Sequence, residues 1–363
     1  MTNNEYLQIL AHFELEENAV EVTPFGNGHI NDTYQIVTAS GAAKYVLQRI
    51  NHLIFTNVEM LQNNIQTVTS HIRGKLEARG EADINRKVLT FLPAKEGKSY
   101  YHDGENYWRV CLMIPDASSL EEVSPELSYE AGKAFGDFQS MLADIPDGTI
   151  GETIPNFHNM EFRLKQFHDA VNTNAAGRLE GVKDLVAEIE KRAKAMCVQE
   201  ELNREGKLRK RINHCDTKVN NILFDNNSGK VLCVIDLDTV MPGYVLSDIG
   251  DFIRTGANTG AEDDLNLNNV NVNMEIFKAY ARGYMETAKS FLTPLEISLL
   301  PYGGRLLTYM QTVRFFADYL NGDTYYKIHH PEHNLQRTKA QFKLLQSLEE
   351  HAAEMDGFMQ EWL

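Results

Sequence analysis

A chain of 363 residues, 43% hydrophobic and 24% charged, is long enough for two lobes and has ordinary globular composition, which excludes a disordered chain. Its formal net charge of −16 excludes nucleic acid as an expected partner, because so acidic a surface repels phosphate backbones. The longest apolar runs, such as Val110 to Ile114, are far too short to cross a bilayer, so no membrane association is expected. The segment Met1-Thr-Asn-Asn-Glu-Tyr6 has neither the basic start nor the apolar core of a signal peptide. Cys111, Cys197, Cys215 and Cys233 lie far apart with no C-x-x-C pair, which reads as the reduced thiols of a cytoplasmic protein. No obligate protein partner is indicated.

Apolar spacing predicts a short helix over Asn3 to His12, then strands over Ala19 to Phe25, Asp32 to Thr38 and Lys44 to Ile50. Gly26-Asn-Gly28 separates the first two and Ser40-Gly41 the next two, so an antiparallel meander is expected. Met60, Leu61, Ile65, Val68 and Ile72 recur at helical spacing and predict a helix from Val58 to Ala78. Two further strands fit Lys87 to Leu92 and Asn106 to Ile114, followed by a short break at Pro115-Asp-Ala-Ser-Ser119. Helical patterns dominate afterwards, apart from a hairpin with strands Arg211 to Phe224 and Val231 to Ile235. The expected organisation is an N-terminal lobe to residue 114, a hinge at 115–119 and a mainly helical lobe over 120–363.

The densest chemistry is His214-Cys-Asp216-Thr-Lys218-Val-Asn-Asn221, followed after the hairpin by Ile235-Asp236-Leu-Asp238. Phosphoryl transfer needs a carboxylate to orient the acceptor hydroxyl and take its proton. It also needs oxygen ligands to hold Mg²⁺ against the phosphates, and a cation for the charge developing on the transferred group. Asp216, Asn221 and Lys218 supply a base, a metal ligand and a cation from one loop, and Asp236 adds a metal carboxylate at a strand end. The H-x-D-x-x-x-x-N spacing followed by an apolar pair and Asp matches kinase catalytic and metal loops. Gly26-Asn-Gly28 between two strands could cover phosphates with backbone N–H groups, although such a turn is also an ordinary hairpin feature.

These motifs, with Ser247-Asp248-Ile-Gly-Asp251, resemble the aminoglycoside-phosphotransferase and choline-kinase superfamily. Gly26-Asn-Gly-His-Ile-Asn31, Asp216-Thr-Lys-Val-Asn-Asn-Ile-Leu223, Met241-Pro-Gly243 and Pro331-Glu-His-Asn334 resemble the N-acetylhexosamine 1-kinases within it. The resemblance implies an α+β, bilobal, protein-kinase-like fold, with ATP as co-substrate, Mg²⁺, and a sugar phosphorylated on its anomeric hydroxyl. It also implies Gly26, Asn27 and Gly28 over the phosphates and Pro115, Asp116 and Ala117 beside the adenine. His29, Asp216, Arg314 and Tyr325 would meet the sugar, and Asp238 would assist Asn221 and Asp236 at the metal. Gln48 stands in the third strand where protein kinases carry a phosphate-binding lysine, so it is assigned to the nucleotide site while Arg49 or the metal supplies the missing charge.

Other readings stay open. Another hydroxyl acceptor, such as choline, homoserine or a different sugar, fits the same machinery. Asp236-Leu-Asp238-Thr-Val240 also fits the D-x-D-x-T/V pattern of haloacid-dehalogenase-type phosphatases, in which the first Asp is a nucleophile. The missing strand lysine would suit a non-catalytic nucleotide-binding module. Arg314 lies in an apolar helix with Asp318 one turn on, which also fits a structural ion pair. In His329-His-Pro-Glu-His333 the proline disrupts the helical face that a metal site would use.

Overall fold

The computed structural model describes residues 1–26, 30–121 and 123–363. The chain forms two compact units: Met1–Leu120 with Asp144–Pro155 and Asn220–Met241, and Glu121–Ala143 with Asn156–Val219 and Pro242–Leu363. No helix among the described residues is long and apolar enough to cross a membrane.

The first unit is built on a five-stranded antiparallel sheet in the spatial order Ala19–Pro24, Asp32–Thr38, Ala43–Ile50, Tyr107–Leu112, Tyr101–His102. Its core follows from strand alternation, which sends Ile36, Tyr45, Leu47, Trp108 and Val110 to one face. There they meet Tyr6, Ile9 and Leu10 of the helix Asn3–Leu10. That helix starts in a capping box, with Thr2 and Glu5 exchanging side-chain and backbone bonds. The helix Val58–Ala78 carries Asn64, whose amide donates to the carbonyls of Gly151 at 2.7 Å and Val240 at 3.3 Å.

Three expectations need correction. Lys87 to Leu92 is not a strand. A 3-10 turn occupies Ile84–Arg86, and only Thr90 to Leu92 runs beside Tyr107–Leu112, through Leu92 N–H to Val110 O and Leu112 N–H to Thr90 O. Pro93 follows directly and cannot continue a ladder. The expected break at Pro115 to Ser119 contains a strand, Ala117–Ser119, antiparallel to Ile222–Asp225, which pairs in turn with Val231–Val234. The long strand expected over Arg211 to Phe224 is therefore two short ones, Arg211–Asn213 and Ile222–Asp225, with the catalytic-looking loop between them.

The second unit is mainly helical, and two of its helices approach unusually closely. Pro125–Leu142 packs on Met274–Ala288 through glycines. A β-carbon on Gly132 would sit 2.2 Å from the carbonyl oxygen of Tyr280, and one on Gly283 would sit 1.9 Å from that of Tyr129. No other residue fits such backbone contact. A second buried cluster joins Leu164, Phe167 and Ile189 to Leu306, Tyr309, Val313 and Phe316 of the helix Pro294–Asn321.

Candidate active site

In the second unit, the loop after Arg211–Asn213 is held through its backbone. The helix Leu246–Gly256 presents a fully buried Asp248. Its carboxylate accepts from Cys215 N–H at 2.7 Å, His214 N–H at 2.9 Å and the Gln139 amide at 2.6 Å. Burial pushes its acid up to about 6, against the opposing pull of nearby His214 and these donors. One turn on, Asp251 accepts from Thr217 N–H at 3.1 Å and is clamped by Arg254 at 2.9 Å, while Arg254 also reaches Glu262 at 2.7 Å. His214, buried between the edges of Phe135 and Phe138, accepts the Asp216 N–H on Nδ1 at 3.3 Å. Cys215, just ahead of Asp216, takes a left-handed φ of 63°.

This scaffold leaves the candidate base and cation, Asp216 and Lys218, at the loop surface. Lys218 Nζ lies 2.9 Å from Asp216 Oδ1, with the two side chains 42% and 26% exposed. The Asp216 charge, followed by that of Asp251, raises the Lys218 pKa against its desolvation, so the ammonium stays charged.

The same unit brings together two of the four residues expected at the acceptor, Arg314 and Tyr325. Arg314 lies 5.4 Å over the Phe157 ring, 5.6 Å over Tyr326 and 6.0 Å over Tyr325, and donates to Gln311 at 3.1 Å. The ion pair with Asp318 does not form. Asp318 instead accepts the backbone N–H groups of Thr324, Tyr325 and Tyr326 at 2.9, 2.8 and 3.0 Å, and the Asn334 amide at 2.9 Å. The acidic residue thus shapes the turn that carries Tyr325 and Tyr326, and Arg314 has no carboxylate partner among the described residues. Arg163, held to the Phe157 carbonyl at 2.8 Å, also lacks one, and burial followed by repulsion from Arg314 lowers its pKa to about 10. Burial and then the same arginines hold His158 neutral, with a pKa of about 3. Sequence reasoning missed Phe157, His158 and Arg163 at this cluster because they precede the His214 to Asn221 loop by some fifty residues, in a stretch without a motif.

The first unit carries the expected metal residues. The hairpin register sets Asn221 beside the far strand's end, with Ile235 N–H donating to Asn221 O at 2.9 Å. Asp236 follows, exposed and in the left-handed region at φ 58°, a backbone strain that often marks functional positions. Asp238, 2% exposed, faces inward: Oδ1 accepts from Arg109 at 2.5 Å and Oδ2 from Asn31 at 2.5 Å. A metal ion would share Asp238 with both.

Arg49 cannot make good the missing lysine. It lies on the opposite face of its strand from Gln48 and is paired with Asp32 at 2.7 Å. Gln48 accepts from Arg109 at 2.9 Å and donates to Thr33 at 3.1 Å. At the expected adenine segment, Arg86 donates to the Pro115 carbonyl at 3.1 Å and the Asp116 carbonyl at 3.2 Å, and Ala117 pairs with Asp225. Gly26 takes a left-handed φ of 73°, while Asn27, Gly28 and His29 lie outside the described residues.

Comparison with known proteins sets these features in a group. A spectinomycin phosphotransferase solved with ADP and spectinomycin is 12% identical, with a TM-score of 0.58 over 100% of this chain and 99% of its own. An aminoglycoside phosphotransferase from Alicyclobacillus acidocaldarius is 12% identical at a TM-score of 0.57, over 98% of this chain and 94% of that one. Plasmodium vivax ethanolamine kinase is 14% identical at 0.54, over 88% of this chain and 81% of its own. At such identities the likeness establishes the fold, which is the mixed α/β, protein-kinase-like one. A family model described as the phosphotransferase enzyme family matches residues 21–284, most of the sequence, and on that match the chain belongs to the phosphotransferase enzyme family.

Proposed function

We propose that this chain is an ATP-dependent kinase that phosphorylates the anomeric C1 hydroxyl of an N-acetylhexosamine, N-acetylglucosamine or N-acetylgalactosamine. The observation that carries the acceptor assignment is the Arg314 cluster. Two guanidiniums without carboxylate partners among the described residues lie at one aromatic group, Phe157 with Tyr325 and Tyr326. A choline, ethanolamine or aminoglycoside cation would be repelled there, whereas a neutral sugar offers oxygens to the guanidiniums and an apolar ring face to the aromatics.

In this reading Asp216 accepts the proton of the C1 hydroxyl as its oxygen bonds to the γ-phosphorus and the bond to the ADP oxygen breaks. Lys218 neutralises charge on the transferred group. Asn221 and Asp236 fit Mg²⁺, since both offer hard oxygens from adjoining positions of one hairpin, and Mg²⁺ takes few protein ligands when phosphates and water complete its shell. The ion would supply charge neutralisation on the phosphates. On the family resemblance we assign His29, Arg314 and Tyr325 to sugar recognition, and Gly26, Asn27, Gly28, Gln48 and Pro115 to Ala117 to the nucleotide. We place the lobe boundary at 115–119, and the protein in the cytoplasm, where its four cysteines would stay reduced.

The test is an ATP-consumption assay with N-acetylglucosamine, its methyl glycoside, its 6-deoxy analogue and choline. Turnover of the free and 6-deoxy sugars, with none of the methyl glycoside or choline, is expected. Turnover of the methyl glycoside but not the 6-deoxy sugar would make the enzyme a 6-kinase. Choline turnover without sugar turnover would replace the acceptor class altogether.

A further inference from the structure

The five-stranded sheet carries one polar row across three adjacent strands. Thr33, Gln48 and Arg109 stand directly opposite one another in register, so their side chains share a face. The Gln48 amide donates to Thr33 Oγ1 at 3.1 Å and accepts Arg109 Nε at 2.9 Å. Arg109 Nη1 then reaches Asp238 Oδ1 at 2.5 Å, and the two side chains are each 3% exposed. The Phe91 ring lies 5.3 Å from the guanidinium carbon. Asp238 is fixed on its other oxygen by Asn31, whose own side-chain oxygen accepts the Asn51 N–H at 2.9 Å. Arg109 Nη2 makes no hydrogen bond among the described residues.

A buried guanidinium–carboxylate pair is a poor way to stabilise a fold. Desolvation of both ions offsets their attraction, and apolar residues of similar volume often serve as well or better. The three-strand row gives this one a rigid support, the opposed Asp238 cancels its charge in the resting protein, and one N–H edge is left over. The Gln48 amide, at the position where a kinase-type lysine would stand, spends its oxygen on holding Arg109. Arg109 is also the cation nearest that position by register.

We propose that Arg109 is the nucleotide-phosphate cation of this chain: it presents Nη2 to a phosphate oxygen of the bound nucleotide, with Asp238 and Gln48 as positioning residues that set its angle. This rests on the kinase reading above. Asp238 then acts first as the counter-ion of Arg109, and the metal is left chiefly to Asn221 and Asp236.

The test compares ADP with adenosine, which lacks phosphates, by calorimetric titration of the full chain with Mg²⁺ present. Arg109→Leu should weaken ADP binding roughly 10- to 100-fold, the worth of a charge-assisted hydrogen bond, and leave adenosine unchanged. Adding Gln48→Lys to that variant should restore much of the ADP affinity, because the cation returns to the same face one strand away. Should Arg109→Leu not fold for want of a partner to Asp238, the Arg109→Leu/Asp238→Asn pair removes both charges and takes its place. Equal ADP affinity in wild type and variant, or equal losses for ADP and adenosine, would overturn the proposal and leave the kinase reading standing. A wild-type chain that binds neither ligand would sink both together.

Discussion

Asp248 and Asp238 are both buried carboxylates, and the chain neutralises them by opposite means. Asp248, in the helical unit, is met by neutral donors: two backbone N–H groups and the Gln139 amide. Asp238, in the sheet-bearing unit, is met by a guanidinium and one amide. The first arrangement ties the carboxylate to the main chain at two consecutive residues, so it dictates the path of the loop that carries Asp216. The second ties it to a long side chain on a distant strand, so it fixes where one charge sits. Backbone donors shape a loop; a charged partner aims a side chain.

The largest expected effect tests whether the first arrangement works without the residue it displays. Asp216→Asn leaves every Asp248 bond in place, so the fold and nucleotide affinity should persist while turnover falls roughly 10²- to 10⁴-fold, the usual worth of a positioned base. Steady-state rates beside circular dichroism would decide it. Near-normal turnover would remove Asp216 from the chemistry.

A smaller effect distinguishes neutral donors from a charged partner. In the folded chain the Asp248 acid lies near 6, above its ordinary 3.8, so the folded state holds that proton more tightly than the unfolded one. Its contribution to stability is full below about pH 4 and is lost as pH rises through about 6, by on the order of 2–3 kcal/mol. The stability advantage of wild type over Asp248→Asn, read from urea unfolding, should therefore shrink across that window. An advantage that grows with pH would mean that the donors outweigh burial.

The smallest effect concerns Asp238. Asn31→Ala removes one of its two partners and leaves Arg109 in place, so a loss of about 1–2 kcal/mol is expected in the same unfolding measurement. A loss as large as that expected on stripping Arg109, about 3–5 kcal/mol, would mean that the amide, not the guanidinium, is the main support.

Legibility in the sequence followed the range of the interactions. The helix Val58–Ala78 and the meander strands could be read because each obeys a local period. The loop carrying Asp216, Lys218 and Asn221 stood out because its spacing is local too. Arg109 was invisible for the opposite reason: its meaning depends on facing Gln48 across a strand pair and on Asp238, 129 residues away. The choice between an Arg314–Asp318 ion pair and a free Arg314 stayed open in the sequence, because only the folded turn shows the Asp318 carboxylate facing three backbone N–H groups. Ala117–Ser119 was missed because three residues carry no detectable alternation, and only the partner Ile222–Asp225 makes them a strand.

The glycine contacts between the helices Pro125–Leu142 and Met274–Ala288 reach further than packing. Gln139, on the first helix, accepts a hydrogen bond from the Tyr284 hydroxyl, on the second, and donates its amide N–H to Asp248. The distance between the helix axes is thus transmitted through three side chains to the two peptide groups ahead of Asp216. A single methyl group at Gly132 or Gly283 would enter backbone atoms and spread that distance, and the error would emerge at Asp216. These positions act as a gauge block for the loop that carries Asp216, set by atoms the chain leaves out.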